Sequence, residues 1–287
     1  MGMPMMLMTL MLATLVAAPV AQQTDTIVPV PEGARLDLEL MRADVTVRTW
    51  DRREVRIVSQ PGPVEVRVTD GAVRVRTAFG RQGGGMMEQV AVQITVPRDV
   101  DVSLDGQFLN ADLQGMGGEV SVSTLHGTVR LEGGRRYVQL QSLQGSVECT
   151  GAEGRIDLGT NEGSITATGV AGEIRAHSVN GQITLRDSRA NSVDAYTLNG
   201  GVDYAGTVAA GGEYSLATHA GDVTVAIPER AGVTIEASTF GGAFESEFPL
   251  TLQKAESGGR TVSLSLGDGK ARMKLNSFAG TIRLRRP

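Results

Sequence analysis

STLHGTVRL (123–131), QSLQGSVEC (141–149), GTNEGSITA (159–167) and HSVNGQITL (177–185) are four versions of one phrase set eighteen residues apart. Each places a Ser or Thr three residues before a glycine, and each continues into an alternating apolar strand. Working outward, the chain from residue 100 can be written in blocks of nine. The third residue of successive blocks runs Val102, Ala111, Val120, Val129, Val138, Val147 and then Ile156, Ile165, Ile174, Ile183. The fifth runs Leu104, Leu113, Val122, Leu131, Leu140 and then Cys149, Leu158, Ala167, Ala176, Leu185. Apolar positions separated by polar ones give a period of two, the mark of a strand with one buried face. Glycines 118, 127, 145, 154, 163, 172 and 181 open blocks, where a corner needs positive φ or close backbone approach.

Alternate corners differ, so the true unit is eighteen residues. The other corners carry a second glycine or an acidic residue, as in LEGG (131–134) and CTGAEG (149–154). Two strands and two corners per unit predict a parallel β-solenoid, in which no coil buries its face alone. An antiparallel hairpin stack is the competing fold, but the eighteen-residue alternation has no reason to exist in a meander. Thr124, Ser142, Thr160, Ser178, Thr197, Thr218, Thr239 and Ser277 form a hydroxyl column able to bond to the corner backbone of neighbouring coils. The phrase returns with looser spacing in YTLNGGVDY (196–204), ATHAGDVTV (217–225), STFGGAFES (238–246) and NSFAGTIRL (276–284). Insertions after Ala205 and around Glu247–Lys270 are expected to be corner loops.

Upstream, six alternating runs between residues 34 and 96 lack the period: ARLDLEL, DVTVRTW, EVRIVS, VEVRV, AVRVRT and VAVQITV. They are expected to form an N-terminal β-sheet cap over the first coil, because an open solenoid end invites edge-to-edge aggregation. The uncharged apolar run at the start reads as a signal peptide over 1–21, followed by a linker over 22–32. The cap then covers 33–98 and the solenoid 99–287. No cysteine lies near the cleavage point, and no later apolar run is long enough to span a bilayer, so no membrane insertion of the mature chain is expected. The chain is therefore expected to be exported, to the periplasm, the cell surface or the extracellular space.

These runs resemble a bacterial family of candidate adhesins, exported repetitive β-proteins built on a domain of unknown function. The likeness rests on the entry segment VTVRTWDRREVRI (45–57), on the recurring Ser/Thr-x-x-Gly-x-Val/Ile corner, and on the strand–Pro–strand segments ITVPRDVDVSL (94–104) and VAIPERAGVTIEAS (225–238). The closing NSFAGTIRL also fits. The resemblance spans nearly the whole mature chain and implies surface attachment or scaffolding. It supplies no catalytic residues.

Composition narrows the function classes. Of 287 residues 37 are glycine, about 13% against a usual ~7%, and only one Trp, four Tyr and six Phe are present. That balance suits thin stacked layers better than a deep aromatic pocket. A formal net charge of -5 argues against nucleic acid. A calcium-binding nonapeptide roll needs Gly-Gly-x-Gly-x-Asp at its turns, and these corners read TLHG, SLQG, TNEG and SVNG instead. His126, His177 and His219 fall at different offsets, Cys149 sits at an inward position, and no nucleophile-elbow or zinc-helix motif occurs. No metal or cofactor is therefore expected.

Carboxylates are expected to be compensated: Asp112, Arg130 and Glu148 in one outward column, Asp157 facing Arg175, and Arg155 facing Glu173. Two contact surfaces remain. One is a flat polar strip of Asn110, Thr128, Ser146, Ser164, Thr166, Gln182 and Thr184, which lacks the stacking aromatics usual for sugar binding. The other is the Gly-rich loop 83–87 with Met86 and Met87 as adaptable apolar groups. The expectation is a non-enzymatic solenoid scaffold or adhesin-like protein, making multivalent contacts with protein or glycan on a cell surface or envelope. A periplasmic partner-binding or envelope-stress module and a polysaccharide-acting β-helix enzyme are the alternatives.

Overall fold

A computed structural model describes residues 24–69, 71–77, 89–249, 251–254 and 260–287. The signal segment over 1–21 and the loop with Met86 and Met87 lie outside the described residues. Seven strands come first: β1 (Thr24–Pro29), β2 (Arg35–Trp50), β3 (Glu54–Gln60), β4 (Val64–Thr69), β5 (Ala72–Thr77), β6 (Val90–Pro97) and β7 (Asp101–Met116). The regular repeat follows as β8 (Val120–His126), β9 (Val129–Gly133), β10 (Arg135–Gln144), β11 (Val147–Thr150), β12 (Glu153–Glu162), β13 (Ile165–Thr168), β14 (Ala171–Asn180) and β15 (Ile183–Asn199). The C-terminal part holds β16 (Val202–Gly206), β17 (Glu213–Thr218), β18 (Val223–Ala226), β19 (Val233–Thr239) and β20 (Phe244–Ser246). After these come β21 (Thr251–Lys254), β22 (Arg260–Leu266), β23 (Ala271–Ser277) and β24 (Ile282–Arg285).

The coils stack in parallel, as a β-solenoid requires. Val102 pairs with Val120, Val120 with Val138, Val138 with Ile156 and Ile156 with Ile174, one eighteen-residue step each time. On the second sheet Ala111, Val129, Val147, Ile165 and Ile183 do the same. The inward residues of both sheets merge into one core, in which Val122, Leu140, Ile165 and Leu185 are fully buried. Because the shared face is apolar and the period is two, a one-residue slip would expose the whole set to water, and this fixes the register.

The corner between the sheets explains the Ser/Thr-x-x-Gly phrase. Ser142, Thr160, Thr197, Thr218 and Ser277 each donate a hydrogen bond of 2.7–2.9 Å to the carbonyl of the corner glycine one coil back. That glycine has no room for a side chain. A Cβ on Gly145 or Gly163 would run into the carbonyl of the preceding corner glycine. Gly163 also holds φ at 138°, in the region that favours glycine.

The two ends depart from the expected order. Residues 33–98 do not form a separate sheet laid across the first coil; they extend both sheets. β2 is itself a coil, its two halves paired with the two halves of β7. On its other side β2 pairs with β5 and then β6, which together make one further coil. Antiparallel strands then close the edges, β4 on β5, and β3 with β1 on β6. Thr24–Pro29 is thus a paired strand inside the stretch read as a linker. At the other end, β23 and β24 slot between β17/β18 and β19/β20, so NSFAG stacks ahead of STFGG. Glu247–Lys270 is not a plain corner loop, since it contains β22, antiparallel to β19, and β21, antiparallel to β22. The insertion after Ala205 is a corner loop, held by the buried rings of Tyr204 and Tyr214. The Tyr214 hydroxyl donates to the Ala190 carbonyl at 2.6 Å and accepts from the Ala209 N–H at 2.8 Å.

Candidate functional site

Outward side chains form straight columns, because each coil repeats the position below it about 4.8 Å away. Asn110, Thr128, Ser146, Ser164 and Gln182 occupy one column of the second sheet; Thr166 and Thr184 belong to the next, in line with Glu148. The strip spends much of its polarity internally. Asn110 Nδ2 donates to Asp44 Oδ1 at 2.8 Å while Asn110 Oδ1 accepts the Thr128 N–H at 3.0 Å. The Ser146 and Ser164 hydroxyls lie 3.2 Å apart, and Gln182 donates to Asp203 at 2.6 Å.

Charged columns are compensated, with one difference from expectation. Asp112, Arg130 and Glu148 stack in register, and Arg130 Nε lies 3.0 Å from Glu148. Asp157 pairs with Arg175, 3.8 Å apart. Arg155 and Glu173 are register partners, but their ion pairs run along their own strands, Arg155 to Asp157 at 3.4 Å and Arg175 to Glu173 at 2.6 Å. A two-residue step along one face, roughly 6.6 Å, is within reach of an arginine and a carboxylate side chain.

Among groups able to do acid–base or nucleophilic work, Cys149 is buried, and burial pushes its thiol up to about 12. Burial also raises the Asp105 carboxyl above its ordinary value, with Glu39 and Asp37 adding to the shift. The three histidines stand in three different columns: His126 in line with Gln144, His177 with Tyr196, and His219 one position past Thr218. None has a second histidine beside it.

An open groove of about 690 Å³ lies on the first sheet. Ser192, Ser215, Glu173, Arg175, Glu213 and Arg272 are among the residues that line it. The β14–β15 register shifts between Gly172 and Glu173, next to the lining residue Glu173. Four of its charges are mutually paired, Arg272 with Glu213 at 3.0 Å and Arg175 with Glu173 at 2.6 Å. The groove therefore presents no single sign to a ligand.

A different feature went unnoticed in the sequence. Leu125, Leu143, Val179, Leu198, Phe278 and Phe240 are all exposed, by 37–59%. Each follows the buried hydroxyl of its corner, so the ladders that align Thr124 through Thr239 align them too. Tyr196 and Phe108 flank this column and are each 43% exposed. The Phe278 ring stacks between His219 and Phe240, with centroids 4.7 and 5.1 Å away. The signal was present in the phrase itself, as the apolar second residue of T-L-H-G, S-L-Q-G, S-V-N-G and S-F-A-G. Alternation makes that position outward, so an apolar residue there is not part of the core.

The Toastrack DUF4097 family matches residues 33–285, which takes in both interleaved ends and every coil between them. The chain belongs to this family. No curated protein matches the Toastrack chain. Among solved structures, a candidate adhesin from Bacteroides fragilis is 12% identical, with 93% of this chain and 98% of that one covered at a TM-score of 0.41. A candidate adhesin from Parabacteroides distasonis is 13% identical, with 92% and 97% covered at 0.39. A protein described as a candidate lipid-binding protein, from the same species, is 9% identical, with 91% and 96% covered at 0.39. Identities and TM-scores of this size do not carry a function from those proteins to the Toastrack chain. Among the described residues of the Toastrack chain no helix is long and apolar enough to cross a membrane.

Proposed function

We propose that this chain is an exported, non-enzymatic scaffold or adhesin-like protein that engages protein or glycan at a cell surface or envelope. It does so through repeated shallow contacts along the solenoid. The observation that carries the reading is the column of exposed apolar residues at the Ser/Thr-x-x-Gly corner. Large exposed apolar patches mark interaction sites, and one repeated at six of the eight corners from Leu125 to Phe240 gives multivalent contact without a pocket. The non-enzymatic part is supported by the charge pattern. Carboxylates such as Glu148 and Asp157 lie beside arginines, whereas an acid/base couple needs environments that push two pKa values apart.

Protease shaving of intact cells producing a tagged chain tests the reading. Loss of the tagged band supports attachment at the outer surface. Protection until the outer envelope is opened places the chain inside and replaces the adhesin reading with a periplasmic partner-binding role. Turnover of a soluble polysaccharide by purified protein, abolished by one outward carboxylate substitution, would overturn the non-enzymatic reading.

A further inference from the structure

The column that follows the corner hydroxyls reads, in spatial order along the solenoid, Leu125, Leu143, Asn161, Val179, Leu198, His219, Phe278, Phe240. Turned end for end and laid on itself, it matches position by position. Leu125 meets Phe240, Leu143 meets Phe278, Val179 meets Leu198, and the two polar members, Asn161 and His219, meet each other. The geometry points to this edge as a self-association surface on which a second copy of the chain packs antiparallel, about a twofold axis between the coils of Val179 and Leu198. This rests on the reading of the stripe as a protein-contact surface and names a second copy as the protein it engages.

Three observations favour a second copy over another partner. First, a solenoid's ridges repeat every ~4.8 Å, and another copy presents the same spacing over seven steps, roughly 34 Å. Second, the band carries little charge between its ends, where Arg42 lies over the Phe108 ring and Arg260 pairs with Thr239. In these eight coils the columns on either side of the stripe carry no Lys or Arg and one carboxylate, Glu162. An interface core is depleted of charge in this way. Third, the area is sufficient. Taking roughly 200 Å² for a fully exposed large side chain, the exposed apolar residues of the stripe and its flanks present on the order of 700 Å². One side of a standard interface buries about 800 Å².

A parallel twofold pairing would also set apolar on apolar. It gathers both phenylalanine ends together while leaving leucine on leucine at the other. The antiparallel arrangement gives an even thickness along the contact and sets Glu162 opposite Ala220. It closes on itself, so it yields a dimer and not a filament.

Sedimentation velocity on the full chain over a concentration series tests this. A species of twice the 30.2 kDa chain mass is expected. Leu143→Glu should reduce it to the single-chain mass, and Leu143→Glu with Phe278→Lys should restore the doubled mass, because those positions face each other across the interface. Both sites are solvent-exposed, and a far-UV circular dichroism spectrum checks that each variant stays folded. Independently, Asn161→Cys with His219→Cys should form an interchain disulfide, whereas either change alone should not. In the antiparallel pair residue 161 lies about three coil steps, roughly 14 Å, from its own copy, too far to bridge. Cross-linking of Asn161→Cys alone would reveal parallel pairing and overturn the arrangement. A single-chain mass at every concentration overturns the proposal outright, whether or not the protein binds neutral phosphatidylcholine vesicles. Vesicle binding would then assign the stripe to lipid.

Discussion

Thr160 and Ser178 stand at equivalent corners one coil apart, yet only Thr160 reaches its acceptor, the Gly145 carbonyl at 2.9 Å. The Ser178 hydroxyl is buried without a partner. A buried hydroxyl that makes no bond costs stability, while removing one that does make a bond leaves a carbonyl unpaired. Thr160→Val is therefore expected to lower unfolding free energy by about 1–2 kcal/mol, and Ser178→Ala to be neutral or mildly stabilising. Urea denaturation of the two variants side by side measures the difference. The hydroxyl column was legible from the sequence, because Thr124, Ser142, Thr160 and Ser178 stand eighteen residues apart and the later members keep the same place in the corner phrase. Which of those oxygens finds its carbonyl depends on tenths of an ångström in corner geometry, and no spacing encodes that.

At the level of strands and coils, the regular middle of the chain could be read directly, since Val102 to Ile183 keep one step throughout. The ends could not, and the reason is physical. β5 and β6 make one coil although residues 78–89 lie between them, so its two halves do not keep the nine-residue step. β23 and β24 enter between β17/β18 and β19/β20, so spatial order and chain order part company although each corner phrase is intact. The inserted C-terminal coil is tied to its neighbours by Asp222 and Arg283. Asp222 accepts from Arg283 and from the Thr281 N–H, while Arg283 Nε donates to Glu245 at 2.8 Å. The Arg283 hydrogen bond, then that of Thr281, holds the Asp222 carboxyl below its usual range. A carboxyl whose folded pKa is depressed adds stability that is present above its unfolded value and lost as pH falls through the folded one. The thermal midpoint of the native chain should thus fall below about pH 4. Asp222→Asn should be less stable near neutrality and converge on the native chain at the acid end of a thermal-melt series from pH 7 to pH 3.

Taken as a whole, the molecule is a stack whose length is set by a count of units. Each interior coil contributes its own stability plus one interface on each side. Deleting residues 145–162 removes one whole coil and joins Gln144 to Gly163 in the same register. That variant should keep its far-UV strand signal and cooperative unfolding, with a slightly smaller urea m-value from the lost buried surface. Deleting residues 145–153 instead would feed one sheet's strand into the other sheet's place, and the protein should not fold cooperatively. The apolar stripe is the one large-scale feature that strand periodicity hides, because alternation marks its residues as outward and then gives no reason for their being leucine or phenylalanine.

The interleaving of both ends bears on how a tethered molecule would respond to tension. β2 has hydrogen-bonded neighbours on both flanks, and so do β23 and β24. Traction on the N-terminal end can strip the outer strand β1 but then meets β2, and traction on the C-terminal end meets β24 at once. Each belongs to a coil clasped between two others. Such a coil cannot be unzipped one rung at a time. It must slide out with two ladders failing together, so each end of the rod acts as a lock against peeling.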